Sequence, residues 1–372
     1  MRSEPKVVLH CLGRLNRGGA ELRTIELIEA LQSSGHAYRH DVLVCSGETG
    51  ALDDRFRATG GRVHYLRLRP FVLFVPGYLL LLSRLRPRVV HSNLSLFSGT
   101  LLFLAWLMRV PARQAHFRGT YGQDRPIYHT IQRFLLRRFA TALYAVAPGA
   151  GRSHLPDWDL LPRARVVPNG LRFASYAPDI GARERIRRQI GLPADAHVIG
   201  HVGRLDPPKN HQRILSIFAS AAADPRVHLL CVGKHDTESG ELAKTVIAQL
   251  PAPIQARIHL VGPHDDIPAW LSAMDSFCFP SLHEGLPGAA IEAVFSGLTP
   301  VCSDLPGVRT VNEGLQGRCA VLSLDASDER WALELRAQAP SWETRTARHT
   351  ALTGNPFDLA SALPEFRAMF ER

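Results

Sequence analysis

Short apolar runs recur along the chain at intervals that helical segments fill. In the first half they read KVVLHCL, HDVLVC, RVVHS, ARQAHF and TALYAVA, separated by stretches of helical period such as Ala20–Gln32 and Ile131–Ala140. In the second half they read HVIGHVGRL, VHLLCVG, ARIHLVG, DSFCFP, TPVCS and CAVLS. Strands that take turns with helices imply crossover units and parallel sheets. Two such series predict an α/β protein of two doubly wound domains facing across a cleft. The junction is VVPNGLRFASYAPD (Val166–Asp179), a strand end followed by a Pro-Asn-Gly turn and a polar linker. The expected domains are 1–170 and 171–354. The final segment 355–372, with a helix start at Asp358, is expected to pack back on the first.

Size agrees with that division, since 372 residues exceed what one ordinary core serves. Charge changes the picture more. Residues 1–170 hold 24 Lys+Arg against 11 Asp+Glu, a net +13, whereas the remainder holds 20 against 23, a net −3. A basic first half suggests an anionic surface or an anionic acceptor. Nucleic acid is the competing class, but no basic helix with stacking aromatics and no binding motif supports it. The six cysteines show no CxxC pairing, and four lie in strand-like runs, as free thiols in a reducing compartment do. Residues Met1–Pro5 are expected to open no signal peptide, because a strand follows at once. The most apolar run, Phe71–Leu85, is too short for a membrane span and is interrupted by Pro76-Gly77. Arginines at 67, 69, 84, 86 and 88 flank it. The stretch Phe71–Arg88 could therefore lie in a membrane interface, with Phe71, Phe74 and Leu80 towards lipid, or could cover the domain core.

The chemistry concentrates in the second half. In SLHEGLPGAAIEA, Glu284 and Glu292 stand eight apart, nearly on one helical face, Glu284 just before a helix and Glu292 on its second turn. Between them the N–H groups of Gly285, Leu286 and Gly288 are candidates to lack helical partners. Acceptors at two depths with donors between them suit a polyhydroxylated, anionic molecule. In GHVGRLDPPKNHQRIL, a strand ends at Gly203-Arg204 and Lys209 opens a helix. Both cations then lie at the edge where open α/β sheets bind ligands, placed to neutralise a diphosphate. No P-loop, Gly-x-Ser-x-Gly or zinc-like spacing occurs.

GRLDPPKN followed by PSLHEGLPGAAIEA resembles the signature of the retaining glycosyltransferases of family four, the group 1 glycosyltransferases. Their architecture of two Rossmann-like domains is called GT-B. NRGGAE (Asn16–Glu21) after the first strand and VVPNGL at the linker match as well. The resemblance implies that Arg204 and Lys209 bind the donor diphosphate and assist its departure. It implies that Glu292 meets the ribose hydroxyls, that Glu284 touches the donor sugar, and that the Gly285 and Leu286 amides lie nearby. Gly18 and Gly19 would admit phosphates and acceptor close to the backbone. His91 and His116 match places where the family carries histidine near the reacting sugar. Asn93 departs from a frequent second histidine there, and Arg118, with Arg14 and Arg17, could hold an anionic acceptor.

The expected donor is therefore a nucleotide-diphosphate sugar, with UDP favoured, and no cofactor or metal is obligatory. Asp157 and Asp159, although spaced as Asp-x-Asp, read as a solvated loop. The expected acceptor is a hydroxyl of a glycan or lipid-linked glycan in bacterial surface polysaccharide synthesis. The expected place is cytoplasmic or peripheral on the inner membrane face, without nucleic-acid partners. A non-catalytic nucleotide-sugar scaffold and a sugar-nucleotide epimerase of the same fold are the alternatives.

Overall fold

The computed structural model describes residues 6–16, 18–120 and 126–371. The chain forms two units, one running to Leu171 and including the segment from Pro356 onward, the other Arg172–Asn355. In the first unit, β1 (Val7–Leu12), β2 (Arg39–Val44), β3 (Val63–Tyr65), β4 (Val89–Ser92), β5 (Ala112–Phe117), β6 (Ala142–Ala145) and β7 (Ala164–Val166) make one parallel sheet. Its order is β3-β2-β1-β4-β5-β6-β7. The connecting helices are α1 (Gly19–Ser33), α2 (Asp53–Ala58), α3 (Phe71–Leu85), α4 (Ser98–Leu107), α5 (Pro126–Phe139) and α6 (Pro148–His154). Right-handed crossovers put α1 and α2 on one face and, once travel reverses after β3, α3 to α5 on the other.

All six residues of β1 and all four of β4 are buried, which is why interior parallel strands read as unbroken apolar runs. The edge strands β3 and β7 are three residues long and half-exposed, so neither shows such a run. Helix α3 continues through Pro76 rather than stopping there. The carbonyl that the proline cannot satisfy belongs to Val72, in an exposed first turn. Phe74, Tyr78 and Leu82 turn inward and Phe71 and Leu80 outward. This corrects the expectation for Phe74, which is buried and has no face for lipid.

In the second unit, β8 (His197–Val202), β9 (Val227–Val232), β10 (Ile258–Val261), β11 (Ser276–Phe279), β12 (Pro300–Ser303) and β13 (Ala320–Leu322) are parallel in the order β10-β9-β8-β11-β12-β13. Its helices are α7 (Ile180–Gln189), α8 (His211–Ala221), α9 (Glu238–Ala248), α10 (Ala252–Gln255), α11 (Ile267–Ala273), α12 (Gly288–Phe295), α13 (Pro306–Gly314), α14 (Asp328–Ala337) and α15 (Trp342–Thr350). Phe218, Leu229 and Trp331 sit at the centre of its core. Each sheet reverses direction beside its first strand, at β1/β4 and at β8/β11, which places a ligand crevice at the carboxyl ends of those strands.

Helix α16 (Leu359–Glu371) belongs to the first unit. Its Phe366, Met369 and Phe370 pack with Val8, Leu27, Leu31 and Val89. Leu171 and the returning chain exchange hydrogen bonds, Leu171 N to Phe357 O at 2.9 Å and Leu359 N to Leu171 O at 2.8 Å. A Cβ on Gly170 would lie 2.7 Å from the Leu359 backbone, so the glycine of Pro-Asn-Gly is where the two segments touch.

Beneath α16 lies a file of buried imidazoles. His10 Nε2 meets His40 Nδ1 at 2.9 Å, and His40 Nε2 meets His36 Nδ1 at 3.4 Å. The His10 and His91 rings are 5.2 Å apart and those of His91 and His116 are 5.5 Å apart. Phe370 stands against four of the five rings. Burial drives His10, His91 and His116 well below their ordinary value, and pushes His40 down to about 3. A histidine that is harder to protonate when folded leaves the unfolded chain binding more protons. Stability is then complete above about pH 6.5 and falls as pH drops from there towards the folded values, by up to about 1.4 kcal/mol per pH unit for each such histidine. The melting temperature should decline steeply from about pH 6.5 to about pH 4.5, and His40→Phe should flatten the decline. A melting temperature unchanged over that range would contradict this account.

Candidate active site

Strand β8 delivers the chain at Gly203 into a short loop. Arg204 is 63% exposed and its Nη2 lies 2.9 Å from Asp206. Pro207–Lys209 form one 3-10 turn, and Asn210 (φ 57°) takes the left-handed conformation that redirects the backbone into α8. Two hydrogen bonds hold this loop against the end of β11. Asn210 Nδ2 donates to Pro280 O at 3.1 Å, and Leu282 N donates to Pro208 O at 2.8 Å. The result is an ion pair across 75 residues of sequence, Lys209 Nζ to Glu284 Oε1 at 2.6 Å. The Lys209 ammonium also stands 5.1 Å over the Phe279 ring. β8 and β11 are adjacent strands at the point where the sheet order reverses, so the pair marks the crevice that the topology creates.

The acidic loop is fixed from its other side. Ser303 Oγ donates to Ser281 O at 2.5 Å. A Cβ on Gly307, in the first turn of α13, would lie 2.5 Å from Gly285 O. Leu286 is buried. Among the described residues no backbone acceptor takes the N–H of Gly285, Leu286 or Gly288. Glu292 lies on the second turn of α12, which follows β11, with Ile291, Ala293 and Val294 buried on either side of it. Lys209 and Glu284 therefore stand beyond the carboxyl ends of the adjacent strands β8 and β11, and Glu292 follows on the helix that leaves the same loop. Below Lys209, His201 Nδ1 meets Cys278 O at 2.9 Å, and the His201 and His211 rings meet edge to face at 4.9 Å. Burial pushes His211 down to about 4 and His201 well below its ordinary value. These neutral rings add no charge to the crevice at neutral pH.

The corresponding edge of the first unit is organised by Arg118. Its Nε donates to Asn93 Oδ1 at 2.7 Å, and its Nη1 to Asn169 Oδ1 at 2.9 Å and to Ala20 O at 3.4 Å. One guanidinium thus joins the ends of β4 and β5, the glycine turn and the Pro-Asn-Gly turn. Burial lowers it to about 10, against the pull of Glu21, so it remains charged at neutral pH. Gly18 caps α1 with extended backbone, and a Cβ there would strike Glu21 Oε2 at 2.2 Å. A Cβ on Gly19 would meet open space.

Three expectations change form here. His116 is fully buried in β5, with its ring between those of His91 and Tyr144, so Arg118, two residues on, is the group presented at this strand end. Arg14 is taken up by Glu48 at 2.7 Å and Thr49 O at 2.9 Å, and Arg17 lies outside the described residues. Asp157 and Asp159 flank the buried Trp158 and are held by different arginines, Arg137 at 2.6 Å and Arg152 at 2.7 Å. Asn169, Asn210 and the His201–His211 pair went unread in the sequence. The signal for Asn169 was its carboxamide, in a tripeptide that reads as a turn alone.

Residues 18–170 match the model of the glycosyl transferase 4-like domain, and residues 196–336 that of the glycosyl transferases group 1 domain. EpsF of Bacillus subtilis is 29% identical over 344 residues, covering 89% of this chain and 87% of that protein. The capsular polysaccharide biosynthesis glycosyltransferase CapH of Staphylococcus aureus is 25% identical over 338 residues, 88% and 89% of the two chains. An Escherichia coli protein named as UDP-Gal:alpha-D-GlcNAc-diphosphoundecaprenol alpha-1,3-galactosyltransferase is 34% identical over 151 residues, 38% of this chain and 37% of that one. Among solved structures, Anabaena HepE in complex with UDP and glucose superposes with a TM-score of 0.83 at 17% identity, covering 98% and 99% of the chains. The fold is GT-B, and with both domain models matched in order along the sequence, the chain belongs to the group 1 glycosyltransferases.

Proposed function

We propose that this glycosyltransferase moves a hexose or N-acetylhexosamine from a UDP-sugar to a hydroxyl of a glycan or lipid-linked glycan, with retention, in the synthesis of a bacterial surface polysaccharide. The observation that carries this reading is the Lys209–Glu284 pair beside Arg204 at the β8/β11 edge. The names of CapH and the galactosyltransferase, and the UDP in the HepE crystals, supply the pathway and the preference for uridine.

In this reading the donor diphosphate lies against Arg204 and Lys209, which neutralise its charge without an obligatory metal. Glu284 then divides its hydrogen bonding between the ammonium and the donor sugar's hydroxyls. The amides of Gly285 and Leu286 face the same ligand, and Glu292 accepts from the ribose. Gly18, Gly19 and Arg118 serve the acceptor side, with His116 as the buried support behind Arg118. The bond from the anomeric carbon to the diphosphate oxygen breaks as the acceptor oxygen bonds to that carbon on the same face. The acceptor's proton passes to the departing phosphate oxygen. Lys209 holds the growing negative charge on that oxygen, and a cation aimed at such a charge contributes through the transition state.

Thermal unfolding with UDP-, GDP- and ADP-sugars tests the donor. A UDP-sugar at a hundredfold excess over Kd should stabilise the protein by about 2.7 kcal/mol, and Arg204→Ala should remove most of that gain. If no nucleotide sugar shifts the unfolding of the wild type, the donor reading fails. Lys209→Met should lower turnover by about 10²- to 10³-fold, a larger loss than in donor affinity, because the charge it meets grows towards the transition state. Proton NMR of the first product should show the anomer of the donor, and an inverted product would exclude the same-face mechanism.

A further inference from the structure

Strand β8 reads HVIGHV, and His201 stands next to its end, fully buried. Interior parallel strands are ordinarily apolar, so an imidazole here brings two nitrogens that each call for a partner. His201 Nδ1 has one, lying 2.9 Å from Cys278 O. A carbonyl only accepts, so Nδ1 carries the hydrogen and Nε2 of the neutral ring carries a lone pair. Among the described residues Nε2 has no hydrogen-bond partner, and it is sealed from solvent. A buried acceptor left unpaired is costly.

The surroundings of that nitrogen lead to Lys209. A Cβ on Gly203 would lie 3.1 Å from His201 Nε2, and 3.4 and 3.6 Å from Lys209 Cε and Cδ. The glycine therefore leaves the imidazole edge and the lysine stem side by side, with no side chain between them. The rings of Phe277 and Phe279 stand 6.2 and 6.1 Å from that of His201, and the Lys209 ammonium lies over Phe279. His211 meets the His201 ring edge-on. Burial, reinforced by the positive charge of Lys209, holds His201 well below its ordinary value, so the ring keeps its lone pair at neutral pH.

Lys209 has the complementary surplus. An ammonium has three hydrogens to donate, and among the described residues Glu284 Oε1 accepts one of them at 2.6 Å. In the proposed function the diphosphate takes another, while Glu284 turns part of its hydrogen bonding to the donor sugar. The ammonium then needs a further acceptor in a crevice that the ligand has closed to water.

We infer that His201 is a positioning residue for Lys209: its Nε2 accepts a hydrogen bond from the ammonium when a nucleotide sugar draws Glu284 away, and so keeps Nζ aimed at the departing phosphate oxygen. The inference rests on the donor reading above and adds to it a neutral acceptor from inside the strand.

Nitrogen NMR of the full chain, with its histidines labelled in the ring, tests this without altering the site. The probe is whichever of UDP-glucose, UDP-galactose and UDP-N-acetylglucosamine stabilises the wild type most in thermal unfolding. The His201 Nε2 resonance, assigned by its absence from His201→Gln, should lie among unprotonated nitrogens in the free protein. Adding the UDP-sugar should move it upfield, as accepting a hydrogen bond does. His201→Phe keeps a ring but removes the acceptor. It should hydrolyse the same donor about tenfold more slowly, with donor affinity within about twofold of the wild type. His201→Gln restores an acceptor at the same reach and should recover most of the rate, which ring volume alone would not achieve. An Nε2 resonance that the UDP-sugar leaves unmoved overturns the inference. So does a His201→Phe enzyme as fast as the wild type, or a His201→Gln enzyme no faster than His201→Phe. If His201→Phe does not fold, the NMR shift decides alone. A wild type that no UDP-sugar stabilises removes the donor reading and this one with it, whereas stabilisation with an unmoved Nε2 removes this one alone.

Discussion

The ion pair around which the second unit's candidate site is built joins Lys209 to Glu284. Neither residue can be placed by its own segment. Lys209 stands where it does because β8 ends at Gly203, the Pro-rich loop makes one tight turn, and Asn210 accepts a left-handed backbone to start α8. Glu284 stands opposite because β11 lies beside β8 and its loop is clamped by Ser303 and by the start of α13. A parallel sheet that winds outward in both directions from its first strand leaves an uncovered crevice there and nowhere else along its edge. The ion pair fills that crevice with two opposite charges at low exposure, so each is already oriented when a third charged group arrives.

The first unit solves a similar problem with a different bond. Four loops must be held at one sheet edge, and among the described residues no carboxylate pairs with Arg118 there as Glu284 pairs with Lys209. Arg118 holds them instead, reaching the carboxamides of Asn93 and Asn169 and a carbonyl of the glycine turn. Among the described residues its hydrogen-bond partners are neutral, and Glu21 favours its charged form against the effect of burial. An anion presented to that edge would meet a charge that the fold has positioned.

How much of this could be read from residues alone follows from where the information lies. The interior strands are buried on both faces, so their apolar runs were plain, and every long run in the second half became a strand. β3 escaped notice because a three-residue edge strand keeps one side polar. The cations and carboxylates of the candidate site were legible because their residue types and spacings have few other uses. Asn169 and Asn210 were not, since one works by side-chain reach and the other by backbone conformation, and both look like ordinary turn residues. Pro76 misled in the other direction. Its missing N–H matters only where the freed carbonyl is buried, and that cannot be judged before the helix is seated.

The two faces of the first sheet invert the usual rule that polar groups lie outside and apolar groups inside. On one side α16 seals five imidazoles that must stay neutral, and on the other α3, α4 and α5 leave aromatic and aliphatic groups in solvent. Each choice has a cost, the first through pH-dependent stability and the second through exposed hydrocarbon. Neither cost is confined to that unit: burial also lowers His201 and His211 in the second unit, where Leu333 stands in solvent. What sets the first unit apart is concentration, because its five imidazoles lie in one file beneath a single helix and titrate against one another's positive charge as well as against burial.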